Sequence, residues 1–441
     1  MEKHVNRRTL MKGAAGVATA AAAVKASPVY AAPTIIQDTS SDAKIVYWGS
    51  FTDANGVAEQ GVVDQFNEAG LGVQVEYQFQ GNYEETAQKL TAAVAARQTP
   101  DVSLLSDVWW FRFYLNSLLA PLDDLIQANE VDRSDYVDSL LNEGVRDGVT
   151  YWMPMARSTP LFYYNVDAFN EVGLTEAPGN WSDLVAVAPD LVKMDGDTMT
   201  RSAFAHPSAG SYIAWLFQCV TWQYNGRYSD EEFNILIDEP EAVAAGEFYR
   251  ASVADGWAST IEVLRTDFIN GLTASMLAST GDLGAINNEA TFEFKTAFLP
   301  EAETFGCCTG GAGLAILADK SEEQQAAAFE FIEFATSPAI TSYWAQNTGY
   351  MPVRKSAVED EGMIAFFEEN PNFKTAVDQL ALTEPQDSAR VFIPNGDQII
   401  GGGLERITIS GEDAQSAFDD VAAILEEEKV PVLEALEALG A

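Results

Sequence analysis

The chain has 441 residues, with 66 Asp and Glu against 25 Lys and Arg and a formal net charge of −41. That length exceeds one compact core and points to about two or three domain-sized units. The charge excludes nucleic acid and anionic membrane surfaces as partners, because both would repel it.

The first 32 residues read differently from the rest. Asn6-Arg7-Arg8-Thr9-Leu10-Met11-Lys12 precedes a mildly apolar Ala/Gly/Val run, and Pro28-Val29-Tyr30-Ala31-Ala32 follows it. Paired arginines, an apolar dipeptide and a weakly hydrophobic core form the pattern of a twin-arginine export signal, with small residues placed for cleavage near Ala31. Export to the extracellular side of the membrane is therefore expected, with the signal either removed or kept as an anchor. No cysteine precedes Cys219, so a lipid anchor on a Cys just after the signal is not expected. Residues 33–42 read as a polar linker without periodicity.

The body then alternates element types. Ile45 to Trp48 is strand-like, Val57 to Glu68 helical, Val73 to Phe79 strand-like, Tyr83 to Arg97 helical and Val102 to Leu105 strand-like, which predicts an α/β fold. In the second of these helices Leu90, Val94 and the alanines recur at helical spacing while Glu84, Glu85, Gln88 and Lys89 face outward, so it packs one side on a sheet. Pro100-Asp101 breaks it and opens the next strand. Helical patterning returns at Trp109 to Leu118, Glu322 to Ala335 and Asp413 to Leu425, with no repeat of roughly 20–50 residues, which excludes a solenoid. No stretch of the body reaches the roughly 20 uninterrupted apolar residues of a membrane-spanning helix. Ligands of open α/β sheets bind beyond the carboxyl ends of strands, which singles out Gly81-Asn82-Tyr83 and Ser106-Asp107 in the loops that follow Phe79 and Leu105.

Reactive chemistry is sparse. His4 lies in the signal and His206 stands alone, so neither a His-based metal site nor a Ser-His-Asp triad assembles, and no catalytic residue, metal or cofactor is expected. Cys219, Cys307 and Cys308 give no disulfide framework and no zinc spacing and read as small buried hydrophobes.

Seven motifs then accumulate in order: Gly81-Asn82-Tyr83-Glu84, Thr99-Pro100-Asp101-Val102, Ser158 to Asn165, Asn180-Trp181-Ser182-Asp183-Leu184, Phe268-Ile269-Asn270-Gly271, Gly310-Gly311-Ala312 and Thr348-Gly349-Tyr350-Met351-Pro352. In this order and at these separations the chain resembles the family 1 extracellular solute-binding proteins of ABC importers, in particular their glycerol-3-phosphate-binding and maltose-binding members, over nearly all of its mature length. The resemblance implies two α/β lobes of the periplasmic-binding-protein type, hinged so that they close on a ligand. Lobe one would comprise residues 43–155 and 308–348, and lobe two residues 157–306 and 350–441. Crossovers would fall near Ala156, Cys307 and Gly349. It also implies a sugar, polyol or glycerol-phosphate-like ligand, ABC permease subunits as partners, and a monomer.

Carried over motif by motif, the ligand-binding positions are Tyr83, Asp107, Ser158, Trp181, Ser279, Gly311 and Tyr350, with Asp standing at 107 where the family has Glu. The phosphate-clamping arginine of the family has no counterpart, since Asp397 or Ile400 occupies its place; Asp397 completes the expected set, and Arg157 or Arg390 is left to supply a substitute cation. These residue types suit polyols, whose edges are hydroxyls and whose faces are C–H, because carboxylates and Ser hydroxyls meet the first and aromatic rings the second. Each has a local alternative: Asp107 as a helix cap, Trp181 as a packing anchor, the serines as turn formers, and Gly311 as a hinge or strand-start residue.

Two other functions fit the composition. A secreted glycoside hydrolase needs only two carboxylates at about 5–9.5 Å, and a ligand-presenting subunit of a membrane sensor would share the fold and the site. The acids are spread along the whole chain, which points to a salt-loving, haloarchaeal source: at molar salt the Debye length falls to roughly 3 Å and self-repulsion is screened. The melting temperature should therefore climb between low and molar salt. A melt that stays level or falls over that range removes the halophilic reading.

Overall fold

The computed structural model describes residues 43–208 and 210–440. The expected export signal and linker lie outside the described residues.

Two five-stranded sheets organise the chain. The first runs in the order Val73–Phe79, Ala43–Gly49, Val102–Ser106, Gly310–Ile316, Met153–Ser158. Its first three strands are parallel, and Gly310–Ile316 lies antiparallel to both its neighbours. The second runs Ala258–Ile261, Phe204–Pro207, Ser275–Ser279, Pro160–Asn165, Phe294–Ala297, parallel at one end and antiparallel at the other. Met153–Ser158 and Pro160–Asn165 are buried at every position, the signature of strands covered on both faces. Only Thr159 separates them, so the chain leaves one sheet and enters the other within a residue. Pro160 is tolerated because it opens its strand.

Each sheet is sheathed by the helices that the apolar spacing requires. In the first lobe, Asp53–Ala69 and Glu322–Ala335 pack against the edge formed by Ala43–Gly49 and Val73–Phe79. There Phe331 meets Tyr47 at 5.1 Å and Phe66 at 5.4 Å between ring centroids. Glu322–Ala335 starts at a capping box in which Ser321 and Gln324 satisfy each other's backbone N–H. In the second lobe, Gly210–Gln223 lies on Gly396–Thr408, and Ala414–Glu428 lies on Pro240–Ala254. The segment after Gly349 first stays with the first lobe, where the Arg354 guanidinium lies 3.6 Å from the centre of the Tyr136 ring. The last helix, Val430–Leu439, packs against Trp110–Leu115.

The helix expected over Trp109 to Leu118 is shorter, Trp110–Leu115. Ser117 adopts φ 52°, and the Leu118 N–H turns back to the Phe113 carbonyl at 3.0 Å, ending the helix so that Leu119 can pair with Leu317.

His206 is 1% exposed on the central part of the second sheet. The Ser252 hydroxyl donates to the Tyr249 carbonyl at 2.7 Å, so at 2.8 Å from His206 Nε2 it accepts, and Nε2 carries the imidazole proton. Nδ1 has no partner, and burial holds the ring at a pKa of about 3. Folded His206 stays neutral while the unfolded residue gains a proton below about pH 6.5, so its contribution is present at neutral pH and lost on acidification. The stability gap between wild type and His206→Phe should change by about 2 kcal/mol, to the disadvantage of the wild type, between pH 7 and pH 5. Parallel stability profiles of the two proteins would contradict this.

Candidate functional site

The carboxyl ends of the strands of both sheets face a cavity of about 480 Å³, within the usual range for small-molecule sites. The loop after the first strand is pinned from behind by Glu59, whose carboxylate accepts from Tyr47 Oη at 2.6 Å, Tyr77 Oη at 2.7 Å and the Phe51 N–H at 3.2 Å. Burial raises the Glu59 pKa, against the pull of the two tyrosine hydrogen bonds. So held, Phe51 meets Tyr83 and Tyr350, each at 5.6 Å between ring centroids.

Tyr83 begins the helix Tyr83–Ala96, where Asn82 caps the Glu85 N–H and the Glu85 carboxylate returns to the Asn82 N–H. Gly81 is required here: its φ is +110°, and a Cβ would come within 2.0 Å of Glu85 Oε2. The Tyr83 and Tyr350 hydroxyls lie 3.4 Å apart. Burial and this mutual contact hold the Tyr83 hydroxyl far above its usual pKa, and burial raises that of Tyr350, so both rings present neutral hydroxyls.

Asp107 follows Val102–Ser106 into the cavity wall. Its carboxylate accepts from Val108 N at 2.9 Å, from Gly311 N at 3.1 Å and from the Gln386 side-chain amide. Asp107 thus lines the cavity but does not cap the helix Trp110–Leu115, whose N-cap is Trp109 without a side-chain cap; its backbone donors are Val108 and Gly311. The Gly311 N–H is spent on Asp107 and not aimed at a ligand. Gly311 is nonetheless indispensable, because at φ +109° a Cβ would lie 2.0 Å from the Ala156 carbonyl oxygen.

Ser158, Ser279, Tyr350 and Asp397 also line the cavity. Ser279 Oγ accepts from Gly281 N at 3.0 Å, and the Ser279 N–H donates to Tyr212 Oη at 2.7 Å. The Tyr350 ring rests on Gly281, where a Cβ would meet it at 2.6 Å. The lobes touch across the cavity through Asn55 Nδ2, which donates to the Gly281 carbonyl at 3.1 Å.

Trp181 does not join this group. It is 3% exposed inside the second lobe, packed edge-on to Phe204 at 5.4 Å, and its Nε1 donates to Gln223 at 2.7 Å. The indole in the cavity wall is Trp215, which donates through Nε1 to the Thr309 carbonyl at 3.0 Å and stacks on Tyr212 at 5.9 Å. Gly310 makes room for it, since a Cβ there would lie 2.6 Å from the ring. Tyr212 and Trp215 sit near the start of Gly210–Gln223, buried throughout from Ile213 onward, so in sequence they read as core.

Of the two substitute cations, Arg157 is buried away from the cavity in an ion pair with Glu143 and lies 4.9 Å from the Trp152 ring centre. Arg390 lines the cavity, is 4% exposed, and has only neutral partners among the described residues: the Gln386 side chain, and the Ser211 carbonyl and hydroxyl, each at 3.2 Å. Its Nε has no partner. Gln386 therefore links the cation to Asp107 and through it to Gly311. Among the described residues no group of His, Cys, Asp and Glu is arranged to hold a metal ion.

Comparison with known proteins gives a consistent result. The sequence profile of the family described as bacterial extracellular solute-binding protein matches residues 61–375. The sn-glycerol-3-phosphate-binding periplasmic protein UgpB of Rhizobium meliloti is 25% identical over 395 residues, covering 85% of this chain and 91% of the relative. The crystal structure of UgpB from Mycobacterium tuberculosis in complex with glycerophosphocholine is 40% identical with a TM-score of 0.83, covering 89% of this chain and 99% of that one. The sugar-binding protein MalE from Xanthomonas citri is 21% identical with a TM-score of 0.73 over 90% of this chain and 99% of that one, a likeness of fold.

Proposed function

Since the chain belongs to the bacterial extracellular solute-binding proteins, we propose that its cleft captures a monoanionic ester of glycerol phosphate, a glycerophosphodiester, and delivers it to an ABC permease. No chemistry is done on the ligand.

The observation that carries this reading is Arg390. A guanidinium that is 4% exposed and, among the described residues, bonded only by neutral groups is a buried charge without a directly paired counter-charge, which costs several kcal/mol unless an anion joins it. A phosphodiester supplies one negative charge and oxygen acceptors matched to a guanidinium. A phosphate dianion fits less well, because Asp107, Asp282 and Asp397 share the cavity wall. Asp282 is already engaged by Tyr212 Oη at 3.0 Å and by Arg265 at 3.5 Å, and burial raises its pKa. The glycerol end finds neutral hydroxyls at Tyr83 and Tyr350 and flat faces at Trp215 and Tyr212. The similarity to UgpB crystallised with glycerophosphocholine supports the same ligand class.

Closure turns on the crossovers at Ala156 to Thr159 and Cys307 to Thr309, where the chain passes between the sheets, while Gly349 keeps the chain on the first lobe against the Thr280 carbonyl of the second. Gly349 at φ +94° has no room for a side chain, with the Thr280 carbonyl oxygen 2.4 Å from a Cβ. Export by the twin-arginine route, supported by Arg7-Arg8, and a monomeric state complete the proposal.

Calorimetric titration in molar salt with glycerophosphocholine, sn-glycerol-3-phosphate, glycerol and maltose separates the ligand classes. Glycerophosphocholine should bind best, and Arg390→Gln should weaken it by thirty-fold or more, the equivalent of about 2 kcal/mol for a desolvated charge pair losing one partner. Saturable maltose binding that is indifferent to Arg390→Gln would instead establish a neutral-sugar receptor.

A further inference from the structure

Beside the cleft lies a second compartment of about 250 Å³. Val108, Trp109 and Asp397 line both spaces, so the two adjoin at these residues. Trp109 and Arg112 come from the first lobe, Phe392 and Asp397 from the turn into Gly396–Thr408, and Val432 from the last helix.

Two features mark this compartment as built for a ligand. Asp397, in the first turn of Gly396–Thr408, is 6% exposed as a residue and makes no side-chain hydrogen bond or ion pair to the described residues, and it lines both cavities where they adjoin. A carboxylate placed there is available to a donor or a cation of a ligand. The second feature is its placement relative to Arg390. Gly396 turns so tightly that a Cβ would come 1.9 Å from the Ala389 carbonyl oxygen, with Asn395 at φ +58° before it. The segment thereby folds back on Ser388–Val391 and sets an unneutralised guanidinium and an unpaired carboxylate on one wall of the cleft. An anion site and a cation site held by one turn complement a zwitterion. The half-buried Trp109 adds an indole, the aromatic ring with the strongest attraction for a quaternary ammonium. Arg112, 5.9 Å from that ring's centre, is exposed, so its opposing charge is screened by salt.

We propose that this compartment receives the alcohol substituent of the phosphodiester and that Asp397 selects a cationic one, an ammonium on a short aliphatic arm. The proposal rests on the phosphodiester reading of the main cleft and adds to it which diesters are preferred.

The test is titration of wild type, Asp397→Asn and Val432→Trp in molar salt with glycerophosphocholine, glycerophosphoglycerol and sn-glycerol-3-phosphate, each variant's fold checked by its thermal melt. Wild type should prefer the choline diester over the glycerol diester by tenfold or more, and Asp397→Asn should bring that ratio close to one. Val432→Trp, which fills the compartment, should weaken both diesters more than it weakens sn-glycerol-3-phosphate. A ratio that Asp397→Asn leaves intact, or a Val432→Trp effect equal for all three compounds, overturns the assignment while the cleft reading stands. Failure of every phosphate compound to saturate the wild type overturns both.

Discussion

A positive charge kept out of water by neutral neighbours is the constraint around which this molecule is arranged. Arg390 sits in a chain with 66 acidic residues, yet inside the cleft it bonds an amide, a carbonyl and a hydroxyl and, among the described residues, no carboxylate. The fold tolerates that cost because the same contacts tie the arginine into a relay. Gln386 passes from Arg390 to Asp107, and Asp107 passes to the Gly311 backbone on the first sheet. The guanidinium of one lobe is thereby braced on the first sheet of the other.

That bracing depends on backbone approaching backbone. Gly310 yields space to the Trp215 indole, Gly311 to the Ala156 carbonyl, Gly281 to the Tyr350 ring and Gly349 to the Thr280 carbonyl. All four lie at a crossing between the sheets, on the cavity wall or where one lobe abuts the other, so the cleft floor is defined by main chain and rings with little freedom to shift. A site of this construction gains selectivity from fixed dipoles and faces.

Much of this was legible in the sequence because local rules and tertiary demands agree. The strand at Val73–Phe79 and the helix at Glu322–Ala335 form over the residues their patterns mark, and Asn82 caps the helix that Tyr83 begins. Tyr83, Asp107, Ser158, Ser279, Gly311, Tyr350 and Asp397 meet in one cavity although the chain separates them by hundreds of residues. Trp181 and Trp215 show where legibility ends. Both are buried indoles near helix starts, and what separates them is whether the nearest polar partner is Gln223 inside a lobe or the Thr309 carbonyl at the crossover. That difference is one of tertiary position and leaves no trace in spacing. Gly311 was legible as a glycine position, but the direction of its N–H, toward Asp107, depends on the pairing of Gly310–Ile316 with Val102–Ser106.

Small-angle scattering in molar salt, with and without saturating glycerophosphocholine, tests most directly whether two lobes shut on an anionic guest. The account predicts a smaller radius of gyration that saturates at one ligand per chain and is lost in Arg390→Gln at the same ligand concentration. Superimposable profiles at a ligand concentration where calorimetry reports full occupancy would contradict it.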